Sequence, residues 1–396
     1  MLPSHLLSTT SQSKKQQHQR DRDPNSRFVP PPPPSLCVTG AMCQQGRCTI
    51  VEEDATNDTT SDTGGENSNN SNSNNSNNPV RSEPIVLAYC IFRPRGLHDE
   101  RKPPLIVIHG GPSIPSNYLL PLVNGIVDRS IVVYDQYGCG RSSRPREKDS
   151  TFSIPQAVRH LQYLIHHQLK VSTYHLYGHS FGGILAFEYF KRFQSQSNSH
   201  CCSLTLASTP TSVRLMQQEM QRLYTELQST RSGAADSSKH EHVDSNSRDH
   251  GAEEEEEEEE ENNGKPNPNQ PNRRLRDLFS KTHECRLDHI PLALQDAFAQ
   301  AGPTHWRGLP AVENYQATLL QSDDDDSPRK IETPPTLLLL GEHDFCTVPC
   351  VEGWGELINT TNLQMAVVLG CSHYGMLEDE RAYGKIISKF LQRNDP

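Results

Sequence analysis

Three residues far apart in this chain of 396 residues carry compatible chemistry: Ser180, Asp344 and His373. Ser180 sits in "LYGHSFGGI" (176–184), with Gly178 and Gly182 each two residues away. A glycine-flanked serine by itself reads equally well as a turn or as a nucleophile. A serine hydroxyl attacks a carbonyl only when a base takes its proton, and that base needs an orienting acid. "GEHDFCTVP" (341–349) supplies Asp344 and "GCSHYGMLED" (370–379) supplies His373. Alone, either would read as a surface-loop residue. "HGGP" (109–112) adds a glycine pair whose backbone could approach a substrate, with the amides of Gly111 and Phe181 as expected donors to an oxyanion.

The elements that must position these residues are legible as apolar runs between turn signals. Strands are expected at 46–52 and 84–92, then at 104–109, 130–134, 173–177, 203–207, 336–340 and 364–369. The later runs are almost continuously apolar, as parallel strands covered on both faces should be. Helical patterns lie at 155–168, 183–194 and 380–392. This alternation predicts an α/β fold with a mostly parallel central sheet and helices on both faces. Ser180 then follows one strand and precedes a helix, the context in which G-x-S-x-G is a nucleophile elbow. Asp344 and His373 each follow a strand of their own, in the order Ser, Asp, His. That joint placement makes Ser180 the expected nucleophile, His373 the base and Asp344 the acid.

Other polar residues near these motifs are expected to hold loops. His109 lies in the loop that shapes the oxyanion hole, and His179, His343, Asp135 and Glu342 flank the site. Cys371 lies two residues from the base but has no elbow of its own, which makes it a bystander.

Composition restricts the folded part. Only 33% of residues are hydrophobic, and the mean hydropathy is −0.71. The deficit falls in residues 1–35, in the Asn/Ser tract 54–83 and in 229–272, which contains the nine-residue run Glu253–Glu261. These segments are too polar to offset ordering entropy and are expected to be disordered. About 285 residues remain, enough for one sizeable core and a small lid. The division expected is a disordered 1–35, core from 36–208 and 331–396, and a helical cap at 209–330 interrupted by the acidic insertion. Met216, Met220, Leu223, Tyr224 and Leu227 fall on one helical face of that cap, and 275–287 and 291–301 also read as helices. Deleting residues 232–270 is therefore expected to leave the melting temperature within a few degrees of wild type, because loop closure entropy changes slowly with length. Loss of soluble expression would show instead that the tract packs on the cap.

The formal charge of −11 becomes +2 once Glu253–Glu261 and Asp323–Asp326 are set aside. A near-neutral folded part has no field for nucleic acid or an anionic membrane. Eleven cysteines, an odd number without paired metal-ligand spacing, suit a reducing compartment. Residues 1–26 lack the apolar core of a secretory signal, and no run of ~20 apolar residues occurs. A cytoplasmic protein is expected; Lys14, Lys15, Arg20 and Arg22 leave an organelle transit peptide open. The sequence sets no oligomeric state.

"HGGPSIPSNYLLPL", "VVYDQYGCGRSSRP", "LYGHSFGGILAFEY", "GEHDFCTVP" and "CSHYGMLED" together resemble the prolyl aminopeptidase (proline iminopeptidase) family, peptidase family S33 of the α/β-hydrolase superfamily. The similarity covers roughly 104–228 and 275–392, includes the cap segment "HECRL", and is greatest to the tricorn-interacting aminopeptidase and amino-acid amidase branch. It implies an α/β-hydrolase core with a helical cap, no metal or other cofactor, and release of an N-terminal residue, often proline, from short peptides or aminoacyl-amides. Two departures stand out. Ser113 replaces the glycine usual after HGGP. That branch also holds the substrate's α-amine with two carboxylates: Glu313 in "PAVENY" matches one, but Phe345 stands where the other directly follows the acid. The substrate site implied thus comprises Glu313, Phe345 and Gly110. Three readings follow: an aminopeptidase, an esterase or amidase for uncharged substrates, and a non-catalytic binding protein. The intact Ser, His, Asp and HGGP disfavour the third.

Overall fold

A computed structural model describes residues 41–51, 84–94, 101–145, 152–193, 200–237, 272–303, 311–321 and 327–396, without the side chains of 231–237. The segments 1–35 and 54–83 and most of 229–272, expected to be disordered, lie outside these residues.

Each apolar run becomes a strand. They are β1 (Ala41–Ile50), β2 (Ile85–Pro94), β3 (Leu105–Ile108), β4 (Ile131–Tyr134), β5 (Thr173–His179), β6 (His200–Ala207), β7 (Thr336–Gly341) and β8 (Leu363–Val368). They form one eight-stranded sheet in the order β1-β2-β4-β3-β5-β6-β7-β8. β1 pairs antiparallel with β2 from Ala41↔Pro94 to Ile50↔Ile85, and β2 pairs antiparallel with β4. Every remaining pairing is parallel.

Side-chain alternation divides the core in two. Along β3, Ile106 and Ile108 join one buried cluster with Leu176 and Phe187, while Leu105 and Val107 join another with Tyr177 and Ile387. Both faces of a central strand must be apolar for this to hold, which is why its sequence shows no polar alternation. The helices that supply the covering surface are α1 (Ile154–Tyr163), α2 (Phe181–Phe193) and α7 (Glu380–Arg393). Ser153 caps α1 by accepting from the Gln156 amide, and Pro155 occupies its first turn.

Several boundaries differ from the sequence reading for local reasons. β1 starts at Ala41 rather than 46 because its polar first half, exposed at the sheet edge, continues the backbone pairing with β2 and adds a hydrogen bond from Arg93 to Gln44 Oε1 at 2.9 Å. The helix expected at 155–168 is α-helical to Tyr163 and then widens to a π turn over Leu164–Leu169. The segment 275–287 divides into α4 (Arg273–Phe279) and a π turn over Ser280–Glu284. The last strand is not covered on both faces. Leu363, Met365 and Val367, all on one side of β8, are 41–44% exposed, so an apolar run there did not mean double burial.

Between β6 and β7 the described chain is mainly helical: α3 (Val213–Ser237), α4 and α5 (Leu292–Ala299). Tyr224 of α3 stacks on Phe279 of α4, with ring centroids 4.0 Å apart and planes 13° apart. A short α6 (Val348–Glu352) follows β7, and the buried Trp354 beyond it donates its indole N–H to the Thr209 carbonyl at 2.8 Å.

Candidate active site

Ser180 occupies the step from β5 to α2 and has φ of 54°, the left-handed region that non-glycine residues rarely adopt. The turn closes because Gly182 runs against β3; a Cβ there would meet the Ile108 carbonyl oxygen at 2.2 Å. The Ser180 amide donates to the Ala207 carbonyl at 2.7 Å, tying the turn to the end of β6. Phe181 is the first residue of α2, so its N–H has no acceptor within the helix. The sequence pattern predicts that helix from 183, two residues late, because the elbow's glycines resemble a loop.

Asp344 and His373 come from loops after β7 and β8, at the same edge of the sheet. Both are buried. His373 Nδ1 lies 2.8 Å from Asp344 Oδ1, which also accepts the Cys346 N–H at 2.8 Å. A carboxylate on Nδ1 fixes the tautomer and leaves the Nε2 lone pair available. The His373 ring lies beside that of His179, the residue before Ser180, with centroids 4.9 Å apart.

His179 does not compete as a base. Its Nε2–H donates to the His373 carbonyl at 2.9 Å, and its Nδ1 accepts from the Tyr118 hydroxyl at 3.0 Å. Tyr118 Oη in turn accepts the Gly110 N–H at 2.7 Å. Burial drives the His179 pKa well below its ordinary value, so the ring is neutral. This chain of three hydrogen bonds ties the HGGP loop to the backbone of His373. Tyr118 was within a quoted motif but carried no sequence signal of its own, since its role depends on a fold contact.

The HGGP loop is fixed by its own backbone and by buried polar side chains. Gly111 has φ of 121°, and a Cβ there would meet the Ile114 amide nitrogen at 2.7 Å, so only glycine fits. The Gly110 amide is taken by the Tyr118 hydroxyl. His109 is buried, accepts the Gln136 N–H on Nε2 at 2.9 Å, and is kept neutral by burial. Asp135 takes the Ser116 amide and hydroxyl on one oxygen, and the Arg141 amide and Nε on the other. Burial alone would raise its carboxyl, but the Arg141 charge and hydrogen bonds outweigh this and hold it at about 2. The pairing stabilises the fold in full above about pH 4 and weakens as pH falls toward 2. Glu342 and His343 remain at the surface side; Glu342 accepts the Gly370 N–H at 2.8 Å, and the His343 carbonyl accepts from His283.

The thiols near the site are poor nucleophiles. Burial pushes Cys371 up to about 12 and Cys139 well above its ordinary value. Phe345 lies against the site: its ring stacks on His373 at 4.0 Å and 27°. Glu313 is different. It is exposed in the turn that begins at 311, and its carboxylate makes no hydrogen bond or ion pair among the described residues.

An elbow serine, a carboxylate-bound imidazole and glycine amides at the C-terminal edge of a 1-2-4-3-5-6-7-8 sheet define an α/β hydrolase. The family model for the alpha/beta hydrolase fold matches residues 103–380, and the chain belongs to that family. Among curated relatives, the chain is 28% identical over 299 residues to the proline iminopeptidase of Lactobacillus acidophilus, covering 74% of this chain and 92% of the relative. It is also 28% identical over 300 residues to the proline iminopeptidase of Thermoplasma volcanium, covering 75% and 91%. The crystal structure of the proline iminopeptidase of Mycobacterium smegmatis superposes with a TM-score of 0.55 at 22% identity, covering 78% of this chain and 95% of that one.

Proposed function

We propose that this protein is a serine aminopeptidase that releases a proline or small N-terminal residue from short peptides or aminoacyl-amides. His373 Nε2 takes the proton of Ser180, the serine oxygen attacks the scissile carbonyl, and the amides of Gly111 and Phe181 receive the developing oxyanion. The protonated imidazole then gives its proton to the leaving amine, and water releases the acyl-enzyme by the same route. The observation that carries this reading is the 2.8 Å bond from Asp344 to the ring of His373, which lies beside the ring of His179, the residue before the elbow serine. The peptidase assignment draws on relatives named proline iminopeptidase that align over more than nine-tenths of their length. The ten described cysteines are all free thiols, in keeping with a cytoplasmic enzyme. Among the described residues no helix is long and apolar enough to cross a membrane.

The esterase or amidase reading keeps one specific support, the phenyl ring of Phe345 where the resembled branch has a carboxylate. A cationic amine enclosed under a cap needs compensating charge or hydrogen bonds. With Glu313 as the one matched anchor, and that anchor exposed, preference for a free amine over its N-acetylated analogue should be modest, about tenfold. Glu313→Ala should erase the preference, and Phe345→Glu should enlarge the ratio of free to N-acetylated turnover. The check is kcat/KM on the free and N-acetylated forms of one prolyl-amide in all three proteins. A Glu313→Ala enzyme that still strongly prefers the free amine removes Glu313 from the site. Better turnover of a short acyl ester than of the free prolyl-amide would favour the esterase reading.

A further inference from the structure

His373 is fixed at one end by Asp344, but a single hydrogen bond at Nδ1 does not set the tilt of the ring. Rotation about that bond would move Nε2, the atom that takes the Ser180 proton in the serine-hydrolase reading. One face of the imidazole carries Phe345, with centroids 4.0 Å apart and planes 27° apart. Phe345 continues to Phe279, 6.3 Å away at 30°, and Phe279 stacks on Tyr224 at 4.0 Å. Phe279 is fully buried, whereas Phe345 and Tyr224 are partly so. The four rings descend from α3 and α4 to the base. A second contact runs parallel to them: the Thr347 hydroxyl, three residues after Asp344, donates to Glu219 of α3 at 2.8 Å.

We propose that Phe345 is a positioning residue for the His373 imidazole, and that the ring column through Phe279 makes the placement of α3 and α4 a determinant of base geometry. This rests on the serine-hydrolase reading of the site. The physical basis is shape and quadrupole together. A flat ring against the imidazole restricts its tilt, and the negative face of a phenyl group favours the imidazolium formed after proton transfer. The column therefore acts in the step where charge appears on His373. An aliphatic residue of similar size would fill the space without either effect.

The other groups facing His373 are Asp344 on Nδ1, the neutral His179 at 4.9 Å and Tyr374 at 5.3 Å, whose hydroxyl burial pushes far above neutrality. The cap contributes His283 and Glu284, whose carbonyls accept the His373 and Tyr374 amides. Phe279 also lies against the His283 ring, with centroids 5.1 Å apart, so the column meets the segment that accepts the His373 amide.

The test uses the full chain and two readouts: the second-order rate of Ser180 labelling by a fluorophosphonate, and the pH profile of kcat/KM on a neutral acyl ester. Phe345→Leu should slow labelling and kcat about tenfold, since small displacements of a base carry large rate effects. It should also lower the kinetic pKa by about half a unit, from loss of the ring face. Phe345→Tyr should restore both to within about threefold. Phe279→Leu, which touches no member of the triad, should slow labelling about threefold but add little in the Phe345→Leu background, because coupled residues are non-additive. Melting temperatures of all variants separate misfolding from misplacement; a Phe345→Leu chain that fails to fold leaves Phe345→Tyr and Phe279→Leu to decide. A Phe345→Leu enzyme with an altered KM alone and an unchanged pH profile would make the ring a substrate wall and overturn the proposal. Full additivity of the two leucine variants would overturn the column. A wild-type chain that resists the probe would instead remove the serine nucleophile on which the proposal rests.

Discussion

Ser180→Ala is expected to reduce kcat by a factor on the order of 10⁴ or more, leaving only what binding and the oxyanion donors supply. The expectation follows from position as much as from residue type. Ser180 holds its hydroxyl on a left-handed turn between a buried strand and a helix N-terminus, with glycine on both sides to make room. Removing the oxygen leaves that scaffold intact, so the melting temperature should change by no more than a few degrees. Cys139 and Cys371 are the nearby alternatives as nucleophiles, and burial holds both thiols protonated at neutral pH. Near-full activity in Ser180→Ala, with loss in Cys139→Ala or Cys371→Ala, would replace the mechanism proposed here. Turnover of a prolyl-naphthylamide by the three variants decides between them.

Asp344→Asn is expected to cost about as much, roughly 10⁴ in kcat, with folding largely preserved. Asp344 Oδ1 accepts two hydrogen bonds, one from the Cys346 amide and one from His373 Nδ1. An asparagine oxygen can keep the first. If the side-chain amide turns its NH2 toward the ring, it favours a bare Nδ1 and a protonated Nε2, the wrong tautomer for a base. Even in the other orientation, the imidazolium loses the negative charge that stabilises it. The loss should therefore appear in kcat, while KM stays within about threefold. A fall in KM affinity with kcat unchanged would mean that Asp344 serves substrate binding and not His373.

How much of this was legible in the chain depends on distance along it. Strands such as Leu105–Ile108 and Ile131–Tyr134 are short, wholly apolar and wholly buried, so sequence and structure agree closely. The elbow was legible because its glycines make contacts that any side chain would block, and such constraints leave a mark in sequence. The Leu363–Val368 strand misled because an apolar run does not record whether a second layer covers it. The supporting shell was largely hidden. Tyr118, Gln136 and Arg141 act through partners between 6 and 61 residues away, and no local pattern marks a tyrosine that bridges a glycine amide and a histidine. Phe345 was noticed only as a missing carboxylate; its stacking on His373 emerged with the fold.

The most direct measurement is covalent labelling of the full chain with a fluorophosphonate, followed by mass spectrometry of the intact protein and of its peptides. A serine hydrolase built as described should gain one adduct, located on Ser180 in the peptide containing "GHSFGG", and lose it in Ser180→Ala and His373→Ala. No adduct, or an adduct on any other residue with Ser180 unmodified, would contradict the assignment of this site.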